Sequence, residues 1–182
     1  MATNLWFTEV ITSLNSDNRP QYEEGIREIF FKTSHRKTFK TDNDKEVFYQ
    51  TWTSYYFKDP NSKIIIKLDE NNKVKAYLMY TTDSLSACDH FESINPSYPL
   101  FKDLYTDYPA HLHINTHPDT QGLGYGSELI NSMIASLSDI NGVHLITHPT
   151  AQNVGFYKKN LFTDSIERKL NGHVYLFLGR RL

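Results

Sequence analysis

Seven consecutive residues, Gln121-Gly122-Leu123-Gly124-Tyr125-Gly126-Ser127, have the composition of an anion-binding turn. They lie between two segments of different period. Upstream, His111-Leu112-His113-Ile114-Asn115 alternates, with Leu112 and Ile114 on one face and His111, His113 and Asn115 on the other. That is the period of a half-buried strand. Then His117-Pro118-Asp119-Thr120 marks a turn. Downstream, Leu129, Ile130, Met133, Ile134 and Leu137 form the stripe of an amphipathic helix. A glycine-rich loop is therefore expected between a strand and a helix N-terminus. The first N–H groups of a helix have no intrahelical partner, and the helix dipole adds positive charge there. Glycines let a ligand approach the backbone closely. A phosphate or pyrophosphate suits such a site.

The type of phosphate site is narrowed by spacing. No Lys-Ser/Thr follows the glycines, which excludes the nucleotide P-loop. The order Gly122-x-Gly124-x-Gly126 also fails the dinucleotide fingerprint, which needs Gly-x-Gly-x-x-Gly. What it matches is Gln/Arg-x-x-Gly-x-Gly, through Gln121, Gly124 and Gly126. That pattern resembles the acyl-CoA loop of the GNAT superfamily of N-acetyltransferases. Downstream, Gly155-Phe156-Tyr157-Lys158-Lys159-Asn160-Leu161-Phe162 is similar to the last helix of the same family. The segment Tyr108-Pro-Ala-His-Leu-His-Ile114 also resembles the acetyltransferase-like module of some O-GlcNAcase-type glycosidases.

Length and composition set the frame. The 182 residues suggest one domain, and 39% of them are hydrophobic, enough for a core. Tyr 12 and Phe 11 make that core or a pocket rich in aromatics. A net charge of -2 gives no field for nucleic acid or an anionic membrane. A single cysteine, Cys88, excludes an internal disulfide and a cysteine metal site. No metal is expected. No stretch reads as a membrane span or a signal sequence, so a soluble, cytoplasmic protein is expected.

The elements that must position the loop can be read in order. Residues 5–11 are β-prone, residues 15–20 are a polar break, and helical spacing runs over 21–33. Asp42 is a plausible N-cap for a second helix with the stripe Val47, Phe48, Thr51, Trp52, Tyr55 and Tyr56, ending near Lys58. Lys63–Leu68 and Val74–Thr81 form a hairpin. Residues 84–108 show no sustained period, and read as a long aromatic and acidic connection. After the loop and its helix, Gly142–His148 is a strand, Pro149-Thr150 opens a short helix, and residues 162–178 form a closing hairpin around Asn171-Gly172.

This order resembles that of the whole GNAT fold. The resemblance implies an α/β (α+β) domain spanning residues 1–182. Its sheet would be mixed and mostly antiparallel, with one splayed parallel strand pair and about four flanking helices. It implies an N-acetyltransferase using acetyl-CoA as co-substrate to acetylate a primary amine, on a small molecule or peptide, by direct attack in a ternary complex. A non-catalytic acyl-CoA-binding module of the same fold is the alternative. Carried over, the backbone of Ile114, Asn115 and Thr116 would hold the pantetheine arm. Residues Gln121, Gly122, Leu123, Gly124, Tyr125, Gly126 and Ser127 would hold the pyrophosphate, with Asn153 also on the cofactor. Tyr157 would protonate the leaving thiolate. His111 or His113 would take the amine proton, since a free imidazole titrates near pH 6.5. The acceptor pocket is expected along residues 89–108 and the second helix. A monomer or homodimer is expected. Leu161 stands where the family usually has glycine, which places Asn160 in the left-handed region.

Overall fold

A computed structural model describes residues 8–10 and 19–182. Among them, seven strands and five α-helices follow one another. They are β1 (Thr8–Val10), α1 (Arg19–Thr33), α2 (Asp42–Lys58), β2 (Ser62–Leu68), β3 (Val74–Thr81), α3 (Ser84–Ile94), β4 (Ala110–Thr116), α4 (Tyr125–Ser136), β5 (Gly142–Thr147), α5 (Val154–Lys159), β6 (Asp164–Leu170) and β7 (His173–Arg181). The strands hydrogen-bond in the order β1-β2-β3-β4-β5-β7-β6. β4 and β5 run parallel, while β1–β2, β5–β7 and β6–β7 are antiparallel. The parallel register holds Ala110↔Val143 and His111↔His144 and ends there, although both strands run on. This is the mixed sheet with a splayed parallel pair, flanked by five α-helices rather than about four. Of the opening strand expected over residues 5–11, Thr8–Val10 is described and the rest lies outside the described residues, as do residues 15–18 of the polar break.

The chain divides into two compact units, Met1–Met79 with Ile114–Ser136, and Tyr80–His113 with Leu137–Leu182. In the first, β2 is buried at every position but Lys63. Such a run marks a strand covered on both faces. Each fully buried Ile of Ile64-Ile65-Ile66 stabilises the fold by roughly 1.5–3 kcal/mol. The hairpin turn is held by Asp69, whose carboxylate accepts from the N–H of Asn71 and Lys73, with Asn72 left-handed at φ 57. α1 buries Tyr22, Ile26, Ile29 and Phe30. α2 is capped by Thr41, whose hydroxyl accepts from Asp44 N at 3.0 Å, one residue before the expected Asp42. Its buried face is Tyr49, Thr53 and Tyr56, and Val47 is 55% exposed. The expected stripe is rotated because Tyr49 packs edge-on against Phe30, at 5.3 Å between centroids.

In the second unit, residues 84–108 are not a loop. Asp83 caps α3 by accepting from Ser86 N, and the helix buries Ser84, Ala87, Cys88 and Phe91. That is helical spacing, but two serines on or beside the stripe hide it from a hydrophobic pattern. A 3-10 helix, Pro99–Leu104, follows. Arg168 on β6 holds this helix, donating to Leu100 O and to both carboxylate oxygens of Asp103. Tyr98, Phe101, Tyr105 and Tyr108 are all buried, so the aromatics expected to line an acceptor pocket are core. Tyr108 lies against two glycines. A Cβ at Gly142 would stand 2.7 Å from its ring and 2.8 Å from Asp107 O, and one at Gly179 would stand 2.6 Å from the ring.

His144 is at the centre of this core. Its ring is stacked on Tyr105 at 4.7 Å and on Phe177 at 4.9 Å, and Nδ1–H donates to Tyr108 O at 2.9 Å. Burial lowers its pKa to about 3. The closing hairpin turns at Asn171-Gly172, both with positive φ. The short helix begins at Val154, not at Pro149-Thr150, because Thr150 is occupied by hydrogen bonds to His148.

Two outcomes are expected. Gly142→Ala should destabilise by about 1–3 kcal/mol, because the obstructing atoms include backbone. Gly155→Ala, where a helical Cβ meets nothing within 4 Å, should stabilise by about 0.5–1 kcal/mol. Urea denaturation of both variants measures this, and equal effects would refute the steric account. The second outcome concerns pH. An unfolded His144 binds a proton near pH 6.5, while the folded one resists protonation down to about 3. Its neutral form therefore supports the fold fully above pH 6.5, and that support is lost as pH falls toward 3. At pH 5 the loss is about 2 kcal/mol. His144→Phe keeps a flat ring between Tyr105 and Phe177, and should lose less stability than wild type between pH 7 and 5. Parallel urea curves for the two proteins at those pH values would refute it.

Candidate functional site

In the first unit, the end of β4 leads directly into the glycine loop. Ile114, Asn115 and Thr116 are half-buried, and Asn115 Nδ2 donates to the buried Tyr77 hydroxyl at 2.8 Å. The turn that follows is tied to β3. His117 N donates to Lys75 O at 2.8 Å, and Thr120 Oγ1 reaches the same carbonyl at 3.3 Å. Within the turn, Thr120 N donates to His117 O and Gln121 N to Pro118 O, while Gln121 Nε2 reaches back to Thr116 O. The loop is thus fixed by its own backbone, and the Gln121 side chain points to the strand it came from.

Gly122 and Gly124 both have left-handed backbones, with φ 83 and 89. A Cβ at either meets nothing within 4 Å, so the requirement there is conformational and the space over both glycines is open. Gly124 O accepts the first helical bond, from Glu128 N at 3.0 Å. Gly126 and Ser127 follow as second and third residues of α4, where N–H groups lack an intrahelical acceptor. Leu123 at the tip is 60% exposed. Behind the first turn stands Lys67 on β2, 2% exposed, with its ammonium on the Glu128 carboxylate and 5.5 Å from the Tyr125 ring. The lone pairs of Glu128 compensate a charge that would be costly to bury unpaired. Sequence periodicity alone reads Lys67 as an exposed strand residue and misses this pair.

The other candidates lie in the second unit, β4 passing from one unit to the other between His113 and Ile114. His111 is buried, with Nδ1 2.8 Å from the Tyr98 hydroxyl and 3.4 Å from Ser84 Oγ, and its ring edge-on to Phe91 at 4.5 Å. Burial, reinforced by His144 and His113, holds its pKa well below the ordinary imidazole value. His113 is half-buried, and burial lowers it to about 4. Both are neutral at pH 7, and both are weaker bases than a free imidazole. His144, which the sequence reading passes over, is the register partner of His111 with ring centroids 5.9 Å apart.

Tyr157 is buried against Phe162 and Phe156, and burial raises its phenol pKa, keeping the proton on at neutral pH. Asn153 is the residue before α5 and makes no side-chain cap bond. The end of α5 corrects one expectation. Asn160 has φ -93, and Leu161 itself is left-handed at φ 67. Phe162 N donates to Tyr157 O and Leu161 N to Lys158 O, which closes the helix in a Schellman turn. That turn needs a left-handed residue at this position, so leucine adopts the conformation glycine takes more cheaply. It also anchors the backbone of Tyr157.

His113 and His117, like His144 and His148, stand four residues apart. On a helix that spacing would bring metal ligands together. Here each pair is spread along extended backbone, roughly 13 Å apart. Among the described residues no group of three or more His, Cys, Asp or Glu side chains is arranged to hold a metal ion. No helix among them is long and apolar enough to cross a membrane.

Comparison with known proteins bears on this arrangement. Residues 24–161 match the Acetyltransferase (GNAT) family. Among solved structures, the crystal structure of SsHAT is similar, with a TM-score of 0.65 at 22% identity over 96% of this chain and 98% of that one. An acetyltransferase from Thermus thermophilus gives 0.55 at 12% identity, over 99% of this chain and 100% of that one. A spermidine N-acetyltransferase SpeG chimera from Vibrio cholerae and hSSAT gives 0.57 at 13% identity, over 97% and 95%. At such identities the likeness is one of fold. A search of curated proteins finds no significant match. The family match runs through the β4 strand, the glycine loop and α5, the same segments that carry the left-handed glycines and Tyr157, and on that basis the chain belongs to the GNAT acetyltransferase family.

Proposed function

We propose that the chain is an acetyl-CoA-dependent N-acetyltransferase, acting on a primary amine of a small molecule or peptide by direct attack in a ternary complex. The observation that carries this reading is the loop. Two left-handed glycines with open space above them precede N–H groups of Gly126 and Ser127 in the first turn of α4. That is a cradle for the pyrophosphate of a coenzyme, and the residues present fit it. Acetyl-CoA supplies the activated acetyl thioester. The Gln121–Ser127 loop binds its phosphates. Backbone groups of Ile114, Asn115 and Thr116, where β4 has left its register with β5, serve the pantetheine arm, and Asn153 contributes at the start of α5. The acceptor nitrogen forms a bond to the carbonyl carbon as the C–S bond breaks. Tyr157 gives its proton to the thiolate, and His111 or His113 takes the proton of the amine, directly or through water. The reading takes residues 1–182 as a single acetyltransferase domain, and the family match covers residues 24–161 of it. The reading includes a cytoplasmic location, a monomer or homodimer, and no metal, nucleic acid or membrane partner.

One observation favours a second reading, a non-catalytic acyl-CoA-binding module. Burial holds both imidazoles below the range that suits a base at neutral pH. Coenzyme binding is common to the two readings, and release of free thiol with amines separates them.

Two experiments follow. Millimolar CoA should raise the melting temperature of wild type by several degrees, since a ligand at about 100 times its Kd stabilises the native state by about 2.7 kcal/mol. Gly124→Glu places a carboxylate over the cradle and should abolish the shift while circular dichroism remains that of wild type. An equal shift in both proteins would remove the loop from coenzyme binding. Tyr157→Phe keeps the buried ring and deletes the proton. In a thiol-release assay across diverse amines, it should lower kcat by about 10²–10⁴ with little change in acetyl-CoA affinity. Turnover at the wild-type rate would make Tyr157 a packing residue, and no thiol release by wild type with any amine would favour the binding-module reading.

A further inference from the structure

The first unit carries a second built feature, on the segment that joins α1 to α2. A cavity of about 480 Å³ opens there, lined by Arg36, Lys37, Lys40 and Lys45 around Phe31 and Phe39. No residue of the glycine loop belongs to it. Its volume is within the range of small-molecule sites. The walls are preformed. Ser34 Oγ accepts from Arg36 N at 3.1 Å, and Arg36 Nε donates to Thr38 O. Arg36 Nη2 bonds Asp44 at 2.5 Å, and the same carboxylate accepts from Lys40 N at 3.1 Å. Phe31 and Phe39 meet edge-on at 5.6 Å, and the guanidinium of Arg36 lies over the Phe39 ring at 4.5 Å.

The charges in this cavity are unbalanced. Arg36 is compensated by Asp44. Lys37 donates to two carbonyls, Lys32 O at 2.8 Å and Phe31 O at 3.4 Å. Lys45 stands over the Phe31 ring at 4.6 Å. Among the described residues, Lys37, Lys40 and Lys45 form no ion pair with a carboxylate. Asp42 is the one acid on the lining. Three lysines thus line one concavity in a chain whose net charge is -2. A charge run on a convex surface is ordinarily a solvated face. Here the cations share one hollow with Phe31 and Phe39, and like charges held this close together repel. An oxyanion relieves that repulsion, and the half-buried Phe31 and Phe39 add apolar surface to the same lining.

We propose that this cavity is a binding site for a small organic oxyanion, a phosphate or carboxylate borne on an aromatic group. It goes beyond acetyl transfer and does not depend on it. The test is an amide-resolved NMR titration of the full chain with phenyl phosphate and, separately, benzoate as the phosphate and carboxylate probes. Saturable shifts at the amides of Phe31 and Arg36–Lys45, with at least one probe in the low millimolar range or tighter, are expected. Affinity should fall at least tenfold in a Lys40→Gln, Lys45→Gln double variant, and several-fold between 50 and 500 mM NaCl, the latter within the unaltered protein. Lys37→Gln alone, which leaves Arg36 and Asp44 in place, should give a smaller loss in the same direction. Shifts confined to Gly122–Ser127, or shifts at the cavity that neither the lysine changes nor salt weakens, would overturn the proposal. Failure of CoA to bind would leave it standing, since the probes report on the cavity residues themselves.

Discussion

The backbone donors at the start of α4 are the constraint on which the rest of the first unit depends. Helical N–H groups in a first turn must find partners outside the helix or face solvent and ligand. Here the chain enters the helix through two left-handed glycines, Gly122 and Gly124, with open space above both, and the first-turn N–H groups of Gly126 and Ser127 follow. Holding that entry in place requires a rigid approach. Lys75 O supplies it by accepting from both His117 N and Thr120 Oγ1, so the loop hangs from β3 as well as from β4. Lys67 and Glu128 then fix the other side of the same turn. A cation buried beneath a helix N-terminus would ordinarily be unfavourable. Its carboxylate partner removes most of that cost and gives the dipole its complementary charge.

The second unit is organised by aromatic burial. Tyr105, His144 and Phe177 form a stack, and Tyr108 closes over Gly142 and Gly179. One consequence is chemical. Rings packed this densely exclude water, so the imidazoles beside them lose proton affinity and the phenols keep theirs. His111 and Tyr157 are moved in opposite senses on the pH scale by the same physical cause. A donor that holds its proton at neutral pH suits protonation of a thiolate. A base weakened by burial suits deprotonation of an amine less well, and this contrast is what separates the two functional readings.

Much of the fold is legible in the residues because its signals are local. The glycine spacing of 122, 124 and 126, the stripe Leu129-Ile130-Met133 and the Asn171-Gly172 turn each act within a few positions of the chain. The misses are equally physical. Residues 84–94 form a helix whose buried face includes Ser84 and Cys88, a stripe too polar for hydrophobic periodicity to reveal. On α2 the inner face turned toward Tyr49, because Phe30 is its packing partner on another helix. At the end of α5, the left-handed residue is Leu161 and not Asn160, since the Schellman turn dictates the position and the side chain only modulates its cost.

The sequence by itself determined most of the element order, the glycine loop between a strand and a helix, and the family, through dihedral preferences and short-range periodicity that need no knowledge of distant residues. Tertiary structure alone decided which side chains became neighbours across long separations. Lys67 found Glu128, Tyr108 found Asp164 and Arg168 found Asp103. It also decided how far each titratable group was withdrawn from water, and hence the lowered histidines and the raised Tyr157. Desolvation and pairing are properties of three-dimensional surroundings. A histidine on an alternating strand carries the same letters whether its ring ends in solvent or between Tyr105 and Phe177.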